Sequence, residues 1–141
     1  MLLGRRPAAI QVGALCINPG SGQVLLVTSR GTGRWIIPKG WPMEGRSLAG
    51  AAAREAWEEA GARGTVTETE AGRYCYAKEQ DRGFSVPIDV HVFLLPVDAL
   101  ADVYPEAGQR RRRWFTPAEA ARHVAEPGLA KILRDLDRTP R

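Results

Sequence analysis

The sequence predicts one domain of the α/β class over residues 1–141, and three observations carry that expectation. Apolar segments with strand-like alternation recur along the chain; within 84–95, Val90, Val92 and Leu94 alternate with Asp89, His91 and Phe93. Residues 48–60 are rich in Ala and Glu, contain no β-branched side chain and run into Gly61, which is the pattern of a helix with a glycine stop. Finally, 141 residues with 44% hydrophobic and 26% charged side chains supply one core and leave little room for a second.

The elements follow in order. Residues 8–17 and 23–28 read as strands joined by Asn18-Pro19-Gly20-Ser21-Gly22, a turn composition that predicts a hairpin. A glycine turn at 31–33 leads into a short strand, 34–38, stopped by Pro38, and residues 39–46 read as a loop. Ser47 is placed to cap the helix at 48–60. Longer strands are expected at 65–77 and 84–95, and a last one ends in Trp114-Phe115. Thr116, Pro117 and Glu119 spell a capping box with proline at the first helical position, opening a helix over 117–124. A second begins at Pro127, with Leu129, Ile132, Leu133 and Leu136 at core spacing.

Several function classes drop out early. No apolar run reaches the roughly 18 residues of a membrane span, and the first 17 residues, which include Gln11, read as a strand and not as a signal peptide. Cys16 and Cys75 lie in separate alternating segments without CxxC spacing, which argues against a disulfide framework or zinc site and for a reducing, cytoplasmic location. His91 and His123 have no acid or Cys partner at motif spacing, so structural roles are expected of both. Twenty Lys and Arg against sixteen Asp and Glu give a net charge of +4, favouring an anionic partner. No RNA-reading aromatic motif or zinc-finger spacing supports nucleic-acid binding.

The distribution of charge says more than its total. Arg30, Arg34, Lys39 and the run Arg110 to Arg113 are basic, whereas acid concentrates in Glu55, Glu58 and Glu59. At 100° per residue those three glutamates share one helix face within an arc of about 100°. Like charges at that spacing disfavour a helix by about 0.2–0.5 kcal/mol per pair. Arg54 pairs with Glu58 one turn on but cannot neutralise all three. An oxygen-only donor set of this kind suits Mg²⁺ or Mn²⁺ together with substrate phosphates. Leu48, Ala51 and Ala52 lie in the same sector and are expected to leave room there, while Trp57 points the opposite way. Taken alone, three helix glutamates are better explained by a solvated acidic face.

The surrounding spacing favours chemistry. The segment GWPMEGRSLAGAAAREAWEEAGA, residues 40–62, resembles the Nudix box: a glycine, five residues, a glutamate, seven residues, then Arg-Glu-apolar-x-Glu-Glu-x-Gly-apolar. Gly40, Arg54, Glu55, Ala56, Glu58, Glu59, Gly61 and Ala62 match, and Arg46 stands where the first glutamate belongs. The resemblance implies an α/β/α sandwich around a mixed sheet, with the box as loop, helix and loop. It implies Mg²⁺-dependent (or Mn²⁺-dependent) hydrolysis of a phosphoanhydride bond, with Glu55, Glu58 and Glu59 as metal ligands. Glu58 or Glu59 is the expected general base, with Arg54 beside them; Glu79 and Asp81 are loop alternatives. In the family the first glutamate braces the box arginine, so Arg46 leaves that brace to Glu44 in this sequence.

Outside the box, LLVTSRGTGRWIIPKG, EQDRGF and GQRRRRWFTPAEAARHV are similar to diphosphoinositol polyphosphate phosphohydrolases, whose relatives also cleave diadenosine polyphosphates. That similarity implies Arg30, Arg82 and Arg111 as phosphate-binding positions, alongside Lys39 and Gly40. Pro38-Lys39-Gly40 is instead similar to diadenosine tetraphosphate hydrolases. Along a strand, neighbours in the arginine run face opposite ways, so about half of it is expected to reach one substrate. Trp41 is placed either to stack on a base or to cover the site. The expected partner is a small polyphosphate, with no membrane and no nucleic acid other than an RNA 5′ end; the sequence fixes no oligomeric state. The rival readings are another nucleoside diphosphate-linked substrate or a non-catalytic nucleotide-binding module.

Overall fold

A computed structural model describes residues 9–80 and 83–138. Strands β1 (Ala9–Ile17) and β7 (Ser85–Leu100) form a parallel pair at the centre, in register from Ala9 opposite Ile88 to Ile17 opposite Pro96. Every other pairing is antiparallel, so the eight-stranded sheet is mixed. On one side of the pair lie β2 (Val24–Thr28), β3 (Trp35–Ile36), β4 (Lys39–Gly40) and β8 (Arg112–Phe115). On the other, β5 (Ala62–Gly64) and β6 (Glu70–Glu79) pair successive stretches of β7.

Helices cover both faces. Strand β2, VLLVT, is buried throughout, as expected for a strand between two helical layers. Alternation along β1 and β2 sends Val12, Ala14, Cys16, Leu25 and Val27 towards α1 (Leu48–Ala60), where Ala49, Ala52, Ala56 and Ala60 meet them. Leu15, Val24 and Leu26 face the other way, towards α2 (Pro117–His123) and α3 (Pro127–Arg138) through Ala120, Leu129 and Leu133. The expected α/β/α layering is therefore present. An alanine stripe is what lets α1 lie close to the sheet.

The hairpin turn is held by Asn18, whose Oδ1 accepts from the amides of Gly20 and Ser21 at 2.9 and 3.1 Å. Three expectations need correction. Residues 39–40 are not loop but the short strand β4, paired with Val12 and Gly13 of β1. The strand expected at 65–77 begins only at Glu70 and runs to Glu79 as β6, and an unexpected short strand, β5, precedes it at Ala62–Gly64; the two pair different stretches of β7. That strand also runs through Pro96 to Leu100, since Pro96 lies where pairing with β1 ends and pairing with β5 begins. Among the described residues no helix is long and apolar enough to cross a membrane.

Candidate active site

The site is organised by α1. Ser47, extended at φ −65° and ψ 164°, accepts the amide of Gly50 at 2.9 Å, and Gly61, left-handed at φ 66°, donates its amide to the carbonyls of Ala56 and Trp57. Both ends of the helix are thus fixed by the residues that the sequence marks for those positions.

Glu59 lies about 20° around the helix from Ala52 and about 60° from Ala56, at the border of the apolar stripe. It is consequently buried, at 5% exposure. Its Oε1 accepts the Lys39 backbone amide at 3.3 Å, and Arg110 Nη2 stands 3.6 Å from Oε2. Burial pushes the Glu59 carboxyl up to about 8 against the downward pull of Arg110, and the hydrogen bond and negative charge of Glu55 add to the rise. Glu55 is raised too, first by burial, while its hydrogen bond with Glu59 pulls it down. Both carboxyls are thus pushed towards their protonated forms, and desolvation is the first cause for each.

Gly40 makes room for this pair. A Cβ at that position would lie 2.5 Å from Glu55 Cδ and 2.5 Å from its Oε1, so only glycine admits the carboxylate there. Glu58 accepts from Arg54 Nε at 2.8 Å. Its carbonyl accepts the Glu106 amide at 3.0 Å, tying the segment after β7 to α1. The three glutamates line one cleft of about 450 Å³ with Gln11, Arg30, Lys39, Gly40, Trp41, Glu106 and Arg110.

These residues fit a divalent cation by their chemistry. The donors are carboxylate oxygens, and burial pushes Glu55 and Glu59 towards protonated forms whose protons a cation can replace. Among the described residues no three metal-ligating side chains converge, and the Glu58 carboxylate is engaged by Arg54.

The structure brings Arg30, Lys39 and Gly40 to this cleft. Arg30 Nη1 donates to Gln109 Oε1 at 2.9 Å, and Lys39 Nζ donates to the Tyr76 hydroxyl at 3.0 Å. Glu79 lines an adjoining cleft of about 380 Å³. Arg82 and Asp81 lie outside the described residues. Arg111 is not brought to either cleft: its amide donates to Thr28 Oγ1 at 2.9 Å and its guanidinium lies over Trp35, 5.2 Å from the ring centroid. Alternation disposes of the next two arginines. Arg112 turns towards α1 and donates to the carbonyls of Ala60 and Ala101, whereas Arg113 lies over Phe115 at 4.6 Å.

Glu44 and Arg46 are both exposed, and Arg54 pairs with Glu58, so the proposed Glu44 brace is absent. Ala51 and Ala52 are fully buried in the core and do not line the cleft beside the glutamates. Trp57 does point away, under Arg63 at 4.4 Å and near Tyr104. His91 Nδ1 is 2.9 Å from Glu70 Oε1, and His123 Nδ1 is 2.8 Å from the Glu119 carbonyl. Both cysteines are free.

Sequence reasoning missed Arg110, Glu106 and Gln11. Arg110 is the buried member of its run, donating to Glu106 Oε1 at 3.0 Å and to the Thr28 carbonyl at 3.1 Å. Nothing local distinguishes it from its neighbours. Gln11 did carry a signal, as an amide inside an otherwise apolar strand.

Comparison with known proteins agrees with this layout. A family profile described as the NUDIX domain matches residues 7–136. Nudix hydrolase 4 of Arabidopsis thaliana is 36% identical over 98 residues, covering 70% of this chain and 45% of that protein. The chloroplastic Nudix hydrolase 21 of the same plant is 33% identical over 103 residues, covering 72% and 50%. The chain spans about half the length of the curated relatives it matches. A MutT protein from Methanosarcina mazei Go1 superimposes with a TM-score of 0.69 at 24% identity, covering 95% of this chain and 96% of that one. The Ap4A hydrolase of C. elegans does so at 0.63 and 20%, covering 91% and 95%. At these identities the structural likeness speaks for the fold.

Proposed function

The chain belongs to the Nudix family, and from that membership we propose that it hydrolyses a phosphoanhydride bond in a nucleoside diphosphate-linked substrate, acting as a single domain with Mg²⁺ or Mn²⁺. One observation carries the reading: Glu55, Glu58 and Glu59 line one cleft, in which Gly40 gives way to the Glu55 carboxylate. Glu55, Glu59 and, once released by Arg54, Glu58 would hold the cation. When bound, it supplies charge neutralisation at the phosphates and a water acidic enough to attack phosphorus.

The chain's own residues do the rest. Glu58 or Glu59 takes the proton of the attacking water, with Arg54 setting where Glu58 points. Lys39 and Arg30 hold phosphate oxygens, Arg30 with a fork geometry suited to them. Arg110 keeps Glu59 in place from behind.

Within this class the reading is a dinucleoside polyphosphate, such as a diadenosine polyphosphate. Two features support it over a diphosphoinositol polyphosphate. Arg111 faces away from the cleft, and the described walls of the two adjoining clefts set Glu79, Glu106 and Glu126 beside the helix glutamates. A substrate crowded with phosphates needs an excess of cations that these walls lack. The C. elegans neighbour acts on Ap4A by its name, in keeping with this choice. Two free cysteines suit the reducing cytoplasm.

The test is product release with Mg²⁺ across diadenosine polyphosphates, diphosphoinositol polyphosphates, ADP-ribose, nucleoside triphosphates and 5′-triphosphate RNA. The reading expects diadenosine polyphosphates to give the highest kcat/KM. A preference for the inositol substrates or RNA would overturn the finer assignment, and tight metal-independent binding without turnover on any of them would make the chain a binding module.

A further inference from the structure

Three polar side chains from three strands form a chain of hydrogen bonds at the floor of the site. Lys39 Nζ, on β4, donates to the Tyr76 hydroxyl at 3.0 Å and lies 4.5 Å from the centre of that ring. Tyr76, on β6, donates in turn to Gln11 Oε1, on β1, at 2.8 Å. Gln11 is 3% exposed, yet it lines the same cleft as the helix glutamates. Lys39 lines both that cleft and the adjoining one, and Tyr76 lines the second.

The direction of these bonds is fixed by elementary chemistry. An ammonium group only donates, so the Tyr76 oxygen accepts from Lys39 and its single proton goes to Gln11. The Gln11 atom facing Tyr76 must then be the amide oxygen, which leaves the two N–H donors of Nε2 on the other side of the group. Among the described residues no protein acceptor takes those hydrogens, and Nε2 is not among the buried polar atoms left without a partner. It therefore opens on the cleft. The Lys39 amide meanwhile holds Glu59, so one residue links this array to the carboxylates.

We propose that Gln11 is a substrate-binding residue that donates from Nε2 to a phosphate oxygen beside the one held at the helix glutamates, and that Tyr76 is the positioning residue that aims both Gln11 and Lys39. The assignment rests on the reading of the cleft as a phosphoanhydride site. It gives the site a neutral donor beside the Lys39 ammonium, an arrangement that grips a linear polyphosphate without requiring a surplus of positive charge. Without the Tyr76 hydroxyl the Gln11 amide is free to turn its oxygen towards the phosphate, where it repels.

The experiment pairs kinetics with binding. Tyr76→Phe keeps the ring and its contact with the Lys39 ammonium and removes only the hydroxyl. It is expected to raise KM for diadenosine tetraphosphate about tenfold, the loss of one hydrogen bond to a charged group, with kcat changed less than about twofold. Gln11→Glu keeps an acceptor for Tyr76 but replaces the outward donor by an anion, and is expected to raise KM further. The same ranking is expected for the affinity of methylene-bridged tripolyphosphate, which resists hydrolysis, measured by calorimetry with Mg²⁺ present. Melting temperatures within a few degrees of wild type establish that each variant folds, and Tyr76→Phe alone decides the matter if Gln11→Glu does not.

Unchanged KM and unchanged tripolyphosphate affinity in Tyr76→Phe would overturn the proposal, as would a fall in kcat at constant KM. A wild-type protein that binds no tripolyphosphate overturns it as well. A wild-type protein that binds tripolyphosphate, loses affinity in Tyr76→Phe and hydrolyses nothing would support the array and refute the hydrolase reading.

Discussion

Gly40 and Glu55 occupy each other's space: the Glu55 carboxylate fills the position where a side chain at residue 40 would begin, 2.5 Å from its Cβ. The first glycine of the box and the first glutamate of its helix thus meet in space. Gly40→Ala should displace Glu55 and, through their shared hydrogen bond, disturb Glu59. We expect a loss of at least about tenfold in kcat/KM, with a stability cost of about 1–3 kcal/mol from overpacking. Steady-state kinetics and urea denaturation of the variant check both figures.

The raised Glu59 carboxyl makes the metal-free fold sensitive to pH. A carboxyl raised to about 8 in the folded protein favours folding while it is protonated; that contribution is complete below the ordinary carboxylate range and is lost as pH rises through about 8. The melting temperature without divalent cation should therefore fall between pH 5 and about pH 9. A cation binds the ionised form, so stabilisation by Mg²⁺ should grow over the same interval. Glu59→Gln should flatten both trends. Thermal scans with and without Mg²⁺ at several pH values read this directly.

Arg112 belongs to the scaffold. Its Nη1 donates to the carbonyls of Ala60 and Ala101 at 2.8 and 2.7 Å, joining the end of α1 to the segment after β7. Arg112→Ala should cost about 1–3 kcal/mol by leaving those acceptors unpaired. With Mg²⁺ and saturating substrate its kcat should stay within about threefold of wild type, as chemical denaturation and initial rates will reveal.

Arg111 and Arg30 should separate cleanly. Arg111 covers Trp35 outside the clefts, so Arg111→Ala should leave KM within about twofold. Arg30 lines the site, and Arg30→Ala should raise KM by about three- to tenfold. Parallel titrations with diadenosine tetraphosphate make the comparison.

The fold was legible wherever local chemistry decides conformation. Helix α1 spans the residues expected of it because Ser47, a run without β-branched side chains and Gly61 all specify the same limits. Thr116 and Glu119 do the same for the start of α2, where both halves of the capping box are formed. Strand β4 was not legible, because Lys39 and Gly40 have no strand character of their own and are extended only by pairing with β1. The division of 62–79 into two strands likewise depends on a change of partner along β7.

The site follows the same rule. The three glutamates could be placed on one face from helical spacing alone. Which of them is buried could not, since that depends on how closely the alanine stripe approaches β1. The arginine run shows the limit most plainly: alternation separates Arg112 from Arg113, but only tertiary packing buries Arg110 against Glu59 and leaves Arg111 outside.

The most direct measurement is phosphate-product release from diadenosine tetraphosphate by wild type and by the Glu58→Gln/Glu59→Gln double variant, with Mg²⁺ and with chelator. The account predicts turnover by wild type only with Mg²⁺, reduced at least about 1000-fold in the double variant. Equal turnover by the two proteins, or turnover by wild type that persists in chelator, would contradict it.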